Sequence, residues 1–103
     1  MSATDVFAVT GATVNIAVTA TASSVSLSSA IAANSPNIRI YNAGPSSAFI
    51  RWGIGAQTAS IGADVPIAGG MTESFFKGQA DTFSAVCAAS QTATVYITPG
   101  LGL

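Results

Sequence analysis

Few side chains in this 103-residue sequence could do chemistry. The chain has no histidine, one cysteine, four acidic residues and three basic residues. Without histidine, the commonest general base is missing, and so are the Ser-His and Cys-His pairs that activate nucleophiles. A glycosidase would need two carboxylates, such as Asp64 and Glu73, facing one cleft, and so short a chain leaves little room for a substrate groove. The sequence therefore predicts that the protein is not an enzyme.

Cofactor and metal sites have no support in the sequence either. A single cysteine makes neither an intramolecular disulfide nor a thiolate cage for a metal, so we expect Cys87 to be a small buried hydrophobic residue in a strand. The glycines do not form the Gly-x-x-x-x-Gly-Lys-Ser/Thr pattern that cradles phosphates. We predict no catalytic, cofactor-binding or metal-binding residues and no cofactor.

The remaining candidates for recognition are arginines and aromatic residues. Aromatic side chains are enriched and charged ones depleted at the centres of protein interfaces. Those that alternate onto the presumed outer faces of strands form the predicted interface set, which comprises Arg39, Tyr41, Phe49, Arg51 and Tyr96. The two tyrosines also admit a plainer interpretation, which is ordinary packing between neighbouring strands.

The two arginines of this set are expected to need acidic partners. They fall on the face opposite the apolar one, and like charges placed directly across a strand pair repel each other. Their partners would be Asp64, Glu73 or Asp81 within the chain, or a carboxylate on another subunit.

Three further aromatic residues complete the expected pattern. We expect Trp52 to pack in the core at the end of a strand, with its indole N–H reaching a loop carbonyl. Phe75 and Phe76 are adjacent, so in a strand they must point to opposite faces and one of them should be exposed.

The composition indicates a folded protein that associates with protein and not with nucleic acid. Charged residues make up 7% of the chain, against about 25% in ordinary domains, while 50% is hydrophobic. A mean hydropathy of +0.57 argues against disorder. The net charge of −1 and the scattered basic residues give no footprint for phosphate binding. So little charge also gives little repulsion between molecules, which favours association.

The sequence predicts neither a signal peptide nor a membrane span. Residues 1–5 lack a basic region, and the apolar stretch after them is broken by Thr10, Gly11 and Thr13. No apolar run approaches the roughly 20 residues that a membrane helix needs. We therefore expect a protein that is made and used in solution.

The elements that must position these residues are short strands. Apolar residues alternate with polar ones in runs separated by Gly, Pro, Asn and Ser, which is typical of antiparallel β structure. In residues 13–19 the inward side chains are Val14, Ile16 and Val18. A second short strand around Val25 and Leu27 has the serine-rich flanks of an edge strand.

A hairpin is predicted in the middle of the chain. Residues 37–41 and 47–53 would be its arms, joined through Asn42, Gly44 and Pro45, whose types favour a tight reversal. The inward side chains would be Ile38, Ile40, Ala48, Ile50 and Trp52. Residues 30–36 are predicted to be a loop, because Pro36 ends any helix there.

The second half of the chain is predicted to be a long connection followed by a meander. Residues 54–70 are rich in Gly and Ala and contain one strand-like piece at 65–67. Strands at 71–77, 81–87 and 92–98 follow, with links short enough for hairpins, and Pro99-Gly100 is expected to end the last one.

Together these runs predict an all-β fold. About eight short strands in one chain match a single antiparallel β-sandwich of jelly-roll type, with a small closed barrel as the nearest competitor. We expect residues 1–103 to form one domain, in which residues 1–24 include an extended amino-terminal arm.

Four motifs stand out between residues 25 and 103. They are IRIYNAGP at 38–45 leading into AFIRWG at 48–53, VPIAGG at 65–70, FKGQADT at 76–82 and TVYITPGLGL at 94–103. In these motifs the sequence from residue 25 to residue 103 resembles a group of small tailed-phage virion proteins. Several members of the group are homotrimeric decoration, or cement, proteins of the capsid. The resemblance implies a structural role, and the first two dozen residues match only loosely.

The sequence and the resemblance together predict a capsid decoration protein. It would stabilise the head of a phage by binding across capsid subunits, as a homotrimer attached to the major capsid protein on the virion surface, after synthesis in the host cytoplasm. One alternative is another virion module, from a head fibre, tail or baseplate. Another is a carbohydrate-binding β-sandwich using Tyr41, Tyr96 and Asn42. We expect neither nucleic acid nor membrane as a partner.

Overall fold

Nine strands and one short helix make up the part of the protein that the structure describes. A computed structural model describes residues 7–102. The strands are β1 (Ala8–Val9), β2 (Val14–Val18), β3 (Ser23–Ser26), β4 (Asn37–Pro45), β5 (Ala48–Gly53), β6 (Val65–Ile67), β7 (Thr72–Phe76), β8 (Thr82–Val86) and β9 (Ala93–Leu101), with helix α1 (Ser29–Ala33) between β3 and β4.

The strands form two antiparallel sheets. In sheet A, β1 and β2 both pair with β9, which is followed by β4 and β7. In sheet B the order is β3-β8-β5-β6. The fold is thus all-β and sandwich-like, as the sequence predicts, and the eight strands from β2 to β9 supply the expected number.

The pairing is nested, which is the jelly-roll arrangement. Strand β2 pairs with β9, β3 with β8, β4 with β7 and β5 with β6, so the first half of the chain folds back along the second as one long ribbon. The ribbon rolls up, and its successive pairs fall alternately in sheet A and sheet B. Residues 54–64 lie at its turning point.

The apolar faces of the two sheets enclose the core. Sheet A contributes Ile16, Val18, Ile38, Ile40, Val95 and Ile97, and sheet B contributes Ala48, Ile50, Phe83 and Ala85. All five residues of β8 are buried, because the chain also covers the outer side of this strand. The predicted inward faces of β2, β4 and β5 are confirmed, with Trp52 partly buried at the edge of the core.

The predicted hairpin between β4 and β5 is wrong. The two strands are well placed along the sequence, but β4 lies in sheet A and β5 in sheet B. The Asn-Ala-Gly-Pro segment reverses the chain across the sandwich, with Gly44 at a φ of 84° that favours glycine. Arg39 and Arg51 are consequently not neighbours but lie on opposite sides of the molecule.

The predicted meander of the last three strands is also wrong. The strands exist close to their expected positions, but β8 lies in sheet B while β7 and β9 lie in sheet A. Strand β9 also continues past Pro99 to Leu101, because Gly100 and Leu101 pair with β1. Each late strand pairs with an early one, and this arrangement buries the same alternating faces that a meander would bury. The alternation in the sequence therefore fits both arrangements.

Residues 29–33 form a helical turn where a loop was predicted. The Ser28 side chain caps it by accepting a hydrogen bond from the Ile31 N–H at 3.3 Å. At its other end, the buried Lys77 Nζ donates to the carbonyl of Ala32 at 3.0 Å. Pro36 still lies outside the helix, as expected, so the error concerns one turn only.

The amino-terminal region is built into the sandwich from residue 8 onward. Strand β1 pairs with β9 through Ala8 and Val9, and β2 and β3 follow in sheets A and B. The first six residues of the predicted arm lie outside the described residues.

Candidate interaction surface

The outer face of sheet A is a flat surface of small polar and aromatic side chains. One row across the strands runs from Asn15 through Tyr96 and Tyr41 to Thr72. The adjacent row contains Thr98, Arg39 and Ser74. Because side chains alternate along each strand, these residues all point away from the core. Arg39 is the one charged side chain in these two rows.

Tyr41 and Tyr96 form the centre of this face. They are directly opposite each other on β4 and β9, with ring centroids 6.2 Å apart and ring planes 18° apart. The two residues are 42% and 39% exposed. The exposed part of the two stacked rings forms a paired aromatic platform, which is suited to contact with another molecule.

Arg39 is held against this face and does not extend from it. Its guanidinium carbon lies 4.5 Å above the ring centroid of Phe7, and its Nε donates to Ser74 Oγ at 3.3 Å. Phe7 is itself buried and rests on Gly100, where any Cβ would collide with the ring. The cation–π contact thus fastens the start of the described chain to sheet A.

The outer face of sheet B is covered by residues 54–64. The Ala59 N–H donates to Ser84 Oγ at 3.0 Å, and both residues are buried. The Gln57 side chain lies over Gly53 in the same way. Phe49, which also points to this side, is half-buried and lies opposite Pro66 and Val86 on the neighbouring strands.

Arg51 makes an ion pair at the edge of this covered face. Its Nε donates to Asp64 Oδ1 at 3.0 Å, and Asp64 Oδ2 accepts from the Ser60 N–H at 2.7 Å. Burial alone would raise the pKa of the Asp64 carboxyl, but these two hydrogen bonds and the charge of Arg51 outweigh it and lower the pKa. The expected acidic partner of Arg51 is therefore Asp64.

The structure divides the predicted interface set between two surfaces. Arg39, Tyr41 and Tyr96 share the outer face of sheet A, whereas Phe49 and Arg51 lie on the side of sheet B. Phe76 joins the first group and is 69% exposed, as the alternation of Phe75 and Phe76 indicated. Val9 is 65% exposed and was not among the predicted interface residues, because a two-residue strand shows no alternation.

Two other residues differ from their expected roles. Asn42, which the carbohydrate-binding alternative would place at the surface, is fully buried and uses its side-chain amide inside the fold. Trp52 packs against Phe75 with centroids 5.0 Å apart, and its indole N–H makes no hydrogen bond to a loop carbonyl within residues 7–102.

Two further ionisable side chains, those of Cys87 and Lys77, are buried. Cys87 is buried and free, as predicted, and burial raises the pKa of its thiol. Burial lowers the pKa of the Lys77 ammonium, and the charge of Asp81 partly opposes this change. Within the described part of the chain, no group of three or more His, Cys, Asp or Glu residues could hold a metal ion. No helix there is long and apolar enough to cross a membrane.

Comparison with known proteins extends to the fold alone. No protein family and no curated protein matches the chain. Among solved structures, a de novo designed double-stranded β-helix determined by solution NMR is similar, with a TM-score of 0.51 and 11% sequence identity. The match covers 86% of this chain and 99% of the designed one. At this low identity the similarity supports the two-sheet rolled architecture and says nothing about function.

Proposed function

We propose that this chain is a non-catalytic structural subunit of a tailed-phage virion, and in particular a capsid decoration protein that binds across capsid subunits through the outer face of sheet A. The observation that carries the proposal is the half-exposed Tyr41–Tyr96 pair, whose two rows of described residues contain Arg39 as their single charged side chain. Jelly rolls are common in viral capsid proteins. A fold does not fix a function, so the phage context rests on the sequence motifs.

The mechanism of such a protein is mass action. A subunit that binds only the assembled shell stabilises that shell by an amount that grows with the ratio of its free concentration to its Kd. A stable interface buries about 800 Å² on each partner. The whole chain exposes 5068 Å², so one face of the sandwich is large enough to supply this area. Assembly as a homotrimer would add multivalent attachment.

Binding to capsids tests the proposal directly. Shells prepared without this protein should bind it saturably and then rupture at a higher temperature. Replacing both tyrosines, as Tyr41→Gln with Tyr96→Gln, should weaken binding by at least about tenfold, or about 1.4 kcal/mol. Ile61→Gln is the matched control, because it removes an exposed apolar residue, 52% exposed, from the loop over sheet B and should leave binding unchanged.

Other outcomes would point to the alternative functions. Light scattering should show an oligomer, with a trimer expected, and a strictly monomeric protein would contradict the leading proposal. An oligomer that does not bind shells would instead favour a head-fibre, tail or baseplate module. Binding to a glycan array that is lost in the double tyrosine variant, without affinity for shells, would favour a carbohydrate-binding role for this face.

A further inference from the structure

A cavity opens on the side of sheet B, away from the Tyr41–Tyr96 pair, at the point where β6 ends and β5 continues. Strand β6 pairs with β5 only between Ala48 and Ile50, while β5 continues to Gly53. The chain before β6 turns away at this point and leaves a wedge beside β5. This wedge has a volume of about 330 Å³ and is lined by Ile50, Arg51, Trp52, Asp64 and Val65.

Asp64 supplies hydrogen-bond acceptors in the wedge. Its side chain is 8% exposed, and each carboxylate oxygen accepts one hydrogen bond, from Arg51 Nε and from the Ser60 N–H. An ionised carboxylate has about four acceptor positions, so both oxygens keep capacity for a further donor. The two bonds fix the orientation of the carboxylate before any ligand arrives.

Arg51 supplies the matching donors. Its side chain is 50% exposed, and the ion pair uses Nε. The terminal guanidinium nitrogens make no hydrogen bond to any residue between 7 and 102. They therefore remain as N–H donors in a fixed fork, held next to the Asp64 carboxylate by the Nε contact.

The backbone and Trp52 complete the wedge. Alternate residues of a strand direct their N–H and C=O groups to opposite sides. The Gly53 carbonyl accepts from the Asp81 N–H on the β8 side, so the Trp52 backbone groups face the side that β6 has vacated. Trp52 and Val65 also line the wedge, with half-buried side chains packed against the core.

The charges in the wedge select the class of ligand. Arg51 and Asp64 cancel each other, so a charged ligand would meet one like charge for every opposite one. A neutral molecule with adjacent hydroxyl groups can accept hydrogen bonds from the guanidinium and donate one to the carboxylate. The volume is at the lower end of the range for small-molecule sites, about 300 to 1,000 Å³, which suits one small ring.

We propose that this wedge binds one ring of a neutral sugar, with Arg51 and Asp64 on neighbouring hydroxyls and the Trp52 backbone beside them. The site lies on the sheet B side and does not involve the Tyr41–Tyr96 face. It would give the protein a glycan-binding activity separate from attachment to a shell, and either property can exist without the other.

Trp52 makes the proposal easy to test, because it is the only tryptophan in the sequence. Its fluorescence can be followed while the full chain is titrated with the methyl glycosides of glucose, galactose, mannose and N-acetylglucosamine. Concentrations up to about 50 mM exceed a Kd of about 1 mM. At least one glycoside should give a saturable change, accompanied by amide NMR shifts at residues 50–52 and 64. Glucuronate and glucosamine, which carry a charge, should bind more weakly.

Variants distinguish sugar binding in the wedge from nonspecific effects of the sugars on the protein. Arg51→Gln should weaken binding by about tenfold or more, since it removes a charged donor fork. Arg51→Lys should also bind poorly, because a point charge does not replace the fork. The matched control is Arg39→Gln on sheet A, which should bind like the parent protein, as should the Tyr41→Gln, Tyr96→Gln double variant. Amide spectra of each variant verify that it is folded.

Three results would overturn the proposal. One is the absence of any saturable response to all four neutral glycosides. Another is equal weakening by Arg51→Gln and Arg39→Gln. The third is tighter binding of glucuronate than of every neutral sugar, which would indicate an anion site. None of these results bears on shell binding, so failure here leaves the decoration proposal standing.

Discussion

At the scale of single residues, the most demanding position is Asn42. It is fully buried, and its amide nitrogen donates to the carbonyls of Ser46 at 2.9 Å and Ile67 at 2.8 Å. Its Oδ1 accepts from the Gly44 N–H at 2.8 Å. One side chain thereby joins the end of β4 in sheet A to β6 in sheet B and holds the chain reversal between them.

Asn42→Ala should therefore destabilise the fold strongly. It leaves two carbonyls and one N–H without their partner, at a cost of about 3 kcal/mol in the free energy of unfolding. Asn15→Ala, which alters an exposed asparagine of the same sheet, should change it by less than about 0.5 kcal/mol. Urea denaturation measures both. A loss below about 1 kcal/mol for Asn42→Ala would show that water replaces the missing bonds.

Lys77 is the second residue with a measurable signature. Its Nζ donates to the carbonyls of Ala32 and Gly78 in a buried position, so desolvation lowers the pKa of its ammonium from the usual 10.5. In the unfolded chain the group keeps its proton up to 10.5. Between the lowered pKa and 10.5 the unfolded state binds more protons, so this group makes the protein more stable as pH rises through that window.

Lys77→Met should abolish this contribution to the pH dependence. Cys87 acts in the opposite direction, because a thiol pKa raised above 9.0 lowers stability as pH increases beyond 9.0. It is present in both proteins and cancels in the comparison. Urea denaturation from about pH 8 to about pH 11 should give a more positive slope of unfolding free energy for the parent than for Lys77→Met. Parallel curves would contradict the assignment.

At the scale of elements, the least expected feature is the attachment of β1. This two-residue strand pairs with the end of β9, and Phe7 packs on Gly100 beneath the Arg39 guanidinium. Gly100 is required for close approach, because a Cβ there would also lie 2.6 Å from the Ala8 carbonyl oxygen. The backbone of β1 cannot move away without losing its pairing.

Gly100→Ala should release β1 and leave the rest of sheet A in place. Hydrogen exchange by NMR should show faster exchange at the Thr10 amide, which donates to the Pro99 carbonyl, with little change at Ile97. The stability cost should be about 1 to 3 kcal/mol. Gly53→Ala is the control, since its Cβ would meet only the flexible end of Gln57. Retained protection at Thr10 would mean that Phe7 can repack.

Most elements could be located from the sequence, and most of their neighbours could not. Alternation placed β2, β4, β5, β7, β8 and β9 within a few residues, because the period of a strand is a local property. Strand β1 is too short to show a period, and α1 depends on a serine cap and a distant lysine. For the candidate interface, alternation identified which aromatic residues face outward. It could not show that residues 54–64 cover one of the two outer faces.

At the scale of the whole molecule, the nested topology has a kinetic consequence. Strands from opposite ends of the chain pair with each other, as Val14 does with Ile97, so loop closure must precede most of the stabilising contacts. Folds dominated by such distant pairings refold in about milliseconds to seconds. Stopped-flow dilution from urea, followed by Trp52 fluorescence, should give times in this range. Refolding within microseconds would indicate that local hairpins form first.

The asymmetry of the two outer faces is the other property of the whole molecule. Sheet B is covered by its own chain, through contacts such as Ala59 on Ser84, while sheet A leaves the Tyr41–Tyr96 pair open. The proposed shell contact therefore lies on sheet A and the proposed sugar wedge at the edge of sheet B. The two proposals use different surfaces and can be tested independently.

The sequence by itself determined the class of structure and the face of most strands. Low charge, alternating apolar residues and frequent turn residues require strands with one buried side, and Ile38, Ile40 and Ile50 could be assigned to the core with no knowledge of their neighbours. These properties depend on residues within one strand, where the two-residue period of side-chain direction is fixed by the backbone.

Only the tertiary structure decided which strands meet. A strand with one apolar face can bury that face equally well next to a hairpin partner or next to a partner from the far end of the chain. The residues between β4 and β5 permit both arrangements. The choice depends on how two complete sheets close over a common core, which is a property of all strands at once. For that reason Arg51 lies with Asp64 at one edge, Arg39 lies on Phe7 at another, and the two outer faces became different surfaces.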